Sequence, residues 1–340
     1  MTLTRRQAYW LEVVGLGLVA LALFRFGLLA LAFLVPIQLV WIRRGESAGL
    51  TASAVFLAAL AVMKLVDSAR IAAVIDSGFA GALLLLDPLF ALGFVVGLFV
   101  LNTERPFVPT AGGFRVADVV ERMVAAVLAG ALVYVPGFVA LSASSEAGSA
   151  LVAAQIELLG ALLGESVREA ELKALAELVV EIIVNGAFLG FFVTLIGNWW
   201  FGIVFAFRGR MALPEGNPVM ARASGYELTR FSVPLWMVWV LIGGWGGVVL
   251  VLMTGTAWVA PVAWNVGLVS LAVYGVQGVA IVWYFLGRRR VSRGTRVAVV
   301  AGIAVGLLVP GLNVVVGVGL PGLGVSEIWI DYHRFDESEG

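Results

Sequence analysis

At 340 residues, 61% hydrophobic and 13% charged, with a mean hydropathy of +1.02, the chain carries about half the charge of a soluble domain. It holds far more apolar surface than a core could bury, and a bilayer is the solvent that tolerates the surplus. Basic and acidic residues balance at 22 each, so no overall field draws the chain to nucleic acid. The absence of cysteine excludes disulfides, thiol nucleophiles and thiolate metal sites, and a lone His333 is too little for a metal centre. No cofactor is expected.

A spanning helix needs about 20 apolar residues, and runs of that kind recur at 9–24, 27–42, 48–66, 81–101, 119–141, 175–206, 233–253, 258–286 and 296–319. Barrel strands would show alternating segments of about ten residues, whereas these runs are continuous. Helices satisfy their own backbone in lipid. The expected fold is all-α: one integral membrane domain over 1–340, a polytopic bundle of eight or nine transmembrane helices. The first two runs meet at Arg25-Phe26-Gly27 and predict a tight hairpin. Segment 67–80, with Asp67, Arg70 and Asp76, is too polar to cross and reads as interfacial or re-entrant. The stretch 143–172 is an outer loop. Within it Leu151, Ile156, Leu159, Leu163 and Val167 at helical spacing, with Glu157, Glu165 and Glu169 between them, predict a helix lying on the membrane surface. Residues 207–231, punctuated by Pro214, Gly216, Asn217-Pro218 and Gly225, predict a cytoplasmic loop. The last run either crosses or is broken by Pro310-Gly311 and Pro321-Gly322 into a re-entrant pair.

Orientation follows from arginine and lysine in short loops. A cytoplasmic N-terminus places Arg5-Arg6, Arg43-Arg44, Arg105/Arg115, the 208–230 arginines and the 288–296 arginines on one side, if each run crosses once. The opposite connections are poor in arginine. The chain is therefore expected in the cytoplasmic or inner cell membrane, with lipid as its first partner.

Several C-terminal motifs carry a resemblance. Asn198-Trp199-Trp200 precedes an arginine-bearing end, and Phe231-Ser232-Val233-Pro234-Leu235-Trp236 opens the next helix. Val273-Tyr274-Gly275-Val276-Gln277-Gly278-Val279-Ala280 runs into Tyr284-Phe285-Leu286, and the chain closes on Leu323-Gly324-Val325-Ser326-Glu327-Ile328-Trp329-Ile330-Asp331-Tyr332-His333-Arg334. Over roughly 185–335 this resembles the YybS-like family of bacterial membrane proteins, a domain of unknown function. The chain departs from that pattern at its ending, with Ser326-Glu327 where an aspartate is usual and His333 before the arginine. The family is distantly similar to substrate-binding components of energy-coupling-factor vitamin transporters and to a rod-shape membrane protein. That likeness is one of fold, and fold alone does not carry function.

Ionisable groups at membrane depth cost several kcal/mol and are functional candidates. Lys173, Glu177, Glu181 and Asn185 follow at i+4 steps on one helix face. The stripe suits a cationic or polar solute, or a proton path. Equally, Lys173 could pair with Glu177 while Glu181 snorkels and Asn185 bonds a neighbouring helix. Asn198, Tyr274 and Gln277, with Asn265 and Asn313 beside them, suit hydrogen bonding of a neutral solute. The same groups also hold helix pairs together. Lys64, Asp67 and Arg70 share a face, with Asp76 and Asp87 following, and read as charge cancellation near the outer interface. The tryptophans near helix ends read as an aromatic belt. Gly243-Gly244 and Gly246-Gly247 around Trp245 allow close helix packing or an unwound segment.

No nucleotide loop, Ser-His-Asp spacing or paired-carboxylate hydrolase pattern occurs, so no enzyme is expected. Two functions follow from these residues. The first is small-solute binding or a transport-related role at Glu177, Glu181, Asn185, Asn198, Tyr274 and Gln277. The second is a scaffold in envelope assembly, other membrane proteins docking on Arg208, Arg210 and Arg222.

Overall fold

The structure is a computed structural model. It describes residues 4–72, 78–103, 107–110, 113–116, 119–142, 152–153, 156, 159–160, 168–208, 231–256, 258–307, 309–330 and 332. Its helices are α1 (Arg5–Arg25), α2 (Val35–Arg44), α3 (Glu46–Ala72), α4 (Gly78–Asn102), α5 (Val119–Ser142), α6 (Glu169–Arg208), α7 (Met237–Thr254), α8 (Ala260–Arg288), α9 (Arg293–Gly306) and α10 (Leu312–Ser326). One antiparallel hairpin, β1 (Phe107–Thr110) with β2 (Gly113–Val116), joins α4 to α5. Helices α1, α3, α5, α6, α7 and α8 are each long and apolar enough to cross a membrane, and α4, α9 and α10 add shorter apolar stretches. The expected all-helical membrane bundle holds.

Two of the nine expected crossings are not single helices. The run 27–42 divides into a 3₁₀ segment, Gly27–Ala32, and the ten-residue α2. Ten residues rise ~15 Å, half of a bilayer core. Pro36 at the start of α2 explains the break, because its ring removes an N–H and clashes with the carbonyl four residues back. The run 296–319 divides into α9 and α10 at Leu307–Gly311, where Gly311 takes φ 86°. That left-handed value suits glycine. Pro321, by contrast, is accommodated inside α10. Of the predicted surface helix over 151–170, Val152, Ala153, Ile156, Leu159 and Gly160 are helical; Leu151, Leu163 and Val167 lie outside the described residues.

Packing divides the chain into two compact units, Met1–Ala117 with Glu121–Val219, and Met220–Gly340 with Asp118–Val120. In the first, α1 and α3 run parallel. Glu12, about two turns into α1, accepts from Arg43 and Arg44, and Arg25 at the end of α1 pairs with Asp67 at 3.1 Å. Helix α2 returns between them and buries Ile37, Val40 and Trp41. Helix α5 runs antiparallel to α4 through a close approach in which a Cβ on Gly93 would lie 2.8 Å from Gly130 O. Phe94 stacks on Phe191 of α6 at 4.2 Å and meets Phe33 edge-on at 5.4 Å, so aromatic rings fill this core.

In the second unit α8 is the axis. Gly244 of α7 lies against Gly267, its would-be Cβ 2.6 Å from Gly267 N, and Gly247 faces Ala263. Gly243 and Gly246 face open space. The glycine pairs therefore serve close packing through one member each. On the other half of α8, Gly278 abuts the backbone of Leu320 and Gly324 abuts the carbonyl of Tyr274. Both neighbours are antiparallel to α8. This register makes α7 begin and α10 end at the same level, the middle of α8.

Candidate functional site

Asn198 is 1% exposed and its side chain is fully engaged. Nδ2 donates to Leu31 O (2.6 Å) and Thr194 O (2.7 Å), while Oδ1 accepts from the N–H groups of Leu34 (2.9 Å) and Val35 (3.1 Å). An amide has two donors and two acceptor lone pairs, and all four are spent. Asn198 closes the backbone gap between the 3₁₀ segment and α2, where helix ends leave orphan groups. Nearby, Gln38 and Asn102 exchange amide bonds of 3.0 and 2.7 Å, with both side chains buried. Arg122 donates to Leu101 O (2.9 Å) and Thr103 O (2.8 Å), completing the end of α4. Sequence reading singled out none of these last three.

The stripe on α6 takes a different position. Gly97 against Leu195 and Phe94 against Phe191 set Asn185 level with Asp87. Glu181 and Glu177 then lie ~6 and ~12 Å farther along the helix at 1.5 Å per residue. Lys173, Glu177 and Glu181 are exposed, and Asn185 is half-buried. Among the described residues Glu177 and Glu181 have no ion-pair or hydrogen-bond partner. At 40 residues, α6 is ~60 Å long, twice the bilayer core. Its acidic end follows the level of the Lys64–Asp87 and Arg25–Asp67 pairs. Those pairs cancel charge as expected, through partners on other helices.

The second unit gathers Tyr274 and Gln277 with a residue the sequence reading did not select, Glu327. Tyr274 and Gln277 are one turn apart on α8 and are 1% and 3% exposed. Gln277 Oε1 accepts from Val233 N–H at 3.1 Å, on the segment that leads into α7. Gln277 Nε2 donates to Glu327 Oε2, on the C-cap residue of α10. One amide thus ties together the start of α7, the middle of α8 and the end of α10. Ser326 Oγ lies 3.0 Å from Tyr332 Oη, whose ring meets Phe285 edge-on. The Tyr274 hydroxyl is buried with no hydrogen-bond partner among the described residues. Gln277 lies 11 residues before Arg288, ~16 Å inside the basic end of α8. Glu327 is the one carboxylate among the described residues of this unit, and its signal in the sequence was its place in the closing motif.

Other candidates have local roles. Asn265 Nδ2 donates to Pro261 O at 2.7 Å, and Asn313 Oδ1 accepts from Gly311 and Val314 N–H at the start of α10. Of the tryptophans read as a belt, Trp200, Trp236, Trp239 and Trp258 are exposed, whereas Trp199 is buried in the core. Arg208 ends α6; its side chain, with Arg210 and Arg222, lies outside the described residues. Asn198 belongs to the first unit, Tyr274 and Gln277 to the second.

A family model described as a predicted membrane protein (DUF2232) matches residues 220–321. The match takes in α7, α8, α9 and most of α10, hence Tyr274 and Gln277, and stops short of Glu327. No curated protein and no solved structure matches the chain. These findings define a multi-pass helical membrane protein.

Proposed function

We propose that this protein binds a small polar solute in the membrane, in a transport-related role, and that the site is the junction on α8. The observation that carries the reading is the cluster of Tyr274, Gln277 and Glu327 where two helix ends meet inside an apolar unit. Polar groups held at such depth mark solute paths, and transporters build their sites where helices stop within the membrane. The resemblance of 185–335 to a family distantly similar to transporter substrate-binding components supports the same reading. The chain sits in the cell membrane with its N-terminus in the cytoplasm, as the arginine distribution argues.

A panel of small polar solutes added to the full chain in nanodiscs tests this. At least one solute is expected to raise the melting temperature saturably, approaching about 2.7 kcal/mol of stabilisation at about 100 times Kd. Gln277→Leu is expected to abolish the response. A variant that responds like the wild type would remove the junction as the site.

A further inference from the structure

Five arginines, Arg288, Arg289, Arg290, Arg293 and Arg296, fall within nine residues across the turn from α8 to α9. The one carboxylate among the described residues of this unit, Glu327, is bonded to Gln277. Arg289 and Arg290 are exposed, and among the described residues neither they nor Arg296 has a carboxylate partner. The turn gathers these side chains. Val291 N–H bonds Leu286 O and Arg290 N–H bonds Gly287 O, the paired bonds of a Schellman end, whose left-handed position ordinarily takes glycine. Arg290 holds that position at φ 55°, the one non-glycine residue with a positive φ among the described residues.

The reversal brings Arg296 of α9 back beside Gly287, where a Cβ would lie 3.2 Å from Arg296 Nη1. Its guanidinium sits over the Trp283 ring, 5.1 Å from the centroid. Tryptophan marks the headgroup level of a bilayer, and the guanidinium fork matches the geometry of phosphate. From that level onward Val297, Ala301 and Val305 form an exposed apolar stripe along α9 at i+4 steps. Charge and apolar surface thus meet as they do in a phospholipid. We propose that the α8–α9 turn binds one anionic phospholipid, its phosphate held by Arg289, Arg290 and Arg296 and an acyl chain lying along α9. Basic clusters at the ends of membrane helices attract anionic headgroups, each arginine adding a similar increment. This site is separate from the junction at Gln277 and does not depend on it.

The delipidated full chain in neutral detergent is titrated with equal amounts of phosphatidylglycerol and phosphatidylcholine, and native mass spectrometry reads the lipid retained. One phosphatidylglycerol is expected to be retained over phosphatidylcholine by about tenfold or more. Arg296→Gln and Arg290→Gly are each expected to cut that preference about fivefold. Arg290→Gly keeps the turn, because glycine suits the left-handed position, so its loss reports the side chain and not the fold. Arg6→Gln removes the same charge from an exposed arginine of another cluster and is expected to change nothing. Equal retention of the two lipids overturns the proposal. A preference that Arg6→Gln lowers as far as Arg296→Gln does also overturns it, because the attraction is then one of overall charge. Displacement of the lipid by an equal concentration of glycerol phosphate assigns the arginines to a free phosphate and overturns the lipid site.

Discussion

Gly278→Val is expected to separate α10 from α8 and to lower stability by about 3 kcal/mol, the upper range for overpacking a tight contact. The atoms that a side chain at Gly278 would meet are Leu320 O, C and Cα, the last two at 2.8 and 3.1 Å from an ideal Cβ. Backbone cannot swing aside as a side chain does, so the whole helix must move. Because Glu327 caps α10, that movement also pulls its carboxylate away from Gln277. Gly275→Ala is the matched control. Its Cβ would meet Pro321 Cγ at 3.7 Å, an ordinary contact, and alanine favours helix over glycine by roughly 1 kcal/mol. Thermal melts of the two variants should move in opposite directions. Equal losses would show that the α8–α10 crossing is looser than described.

Asn198→Leu is expected to cost about 3 kcal/mol. It leaves the N–H groups of Leu34 and Val35 and the carbonyl of Leu31 without their partner, at roughly 1–3 kcal/mol for each buried orphan. Asn185→Leu, on the same helix but with no bond of this kind, is expected to leave the melting temperature unchanged. If Asn198→Leu instead folds as stably as the wild type and loses solute binding, Asn198 is a ligand and its role as a clasp is wrong.

These two residues also show where sequence reading succeeds and stops. The bilayer imposes long apolar helices, so composition and run length convey the class of fold. Run length does not convey continuity. The segment 27–42 has enough apolar residues to cross, yet Pro36 ends its helical bonding and an amide 164 residues away from Leu34 takes up the loose ends. Tyr274 and Gln277 stand out locally, as polar groups one turn apart in an apolar run. Glu327 is harder to see, because only the fold of α10 back along α8 brings it to Gln277. The acidic stripe on α6 is plain in its i+4 spacing, but spacing fixes a face and not a depth. Depth came from the register of α4 against α6, set by glycines and stacked rings.

Because the chain contains no cysteine, single cysteines can be introduced without altering any other residue. If solutes reach the middle of α8, so does a small polar thiol reagent, and the rate at which it labels Tyr274→Cys in intact membranes measures that access. Ala280→Cys, on the same helix and 0% exposed, is the reference. Tyr274→Cys is expected to be labelled from the aqueous phase, a bound solute to slow the labelling, and Ala280→Cys to stay unreactive. Labelling of neither position until the protein is denatured would show that solutes do not reach the middle of α8.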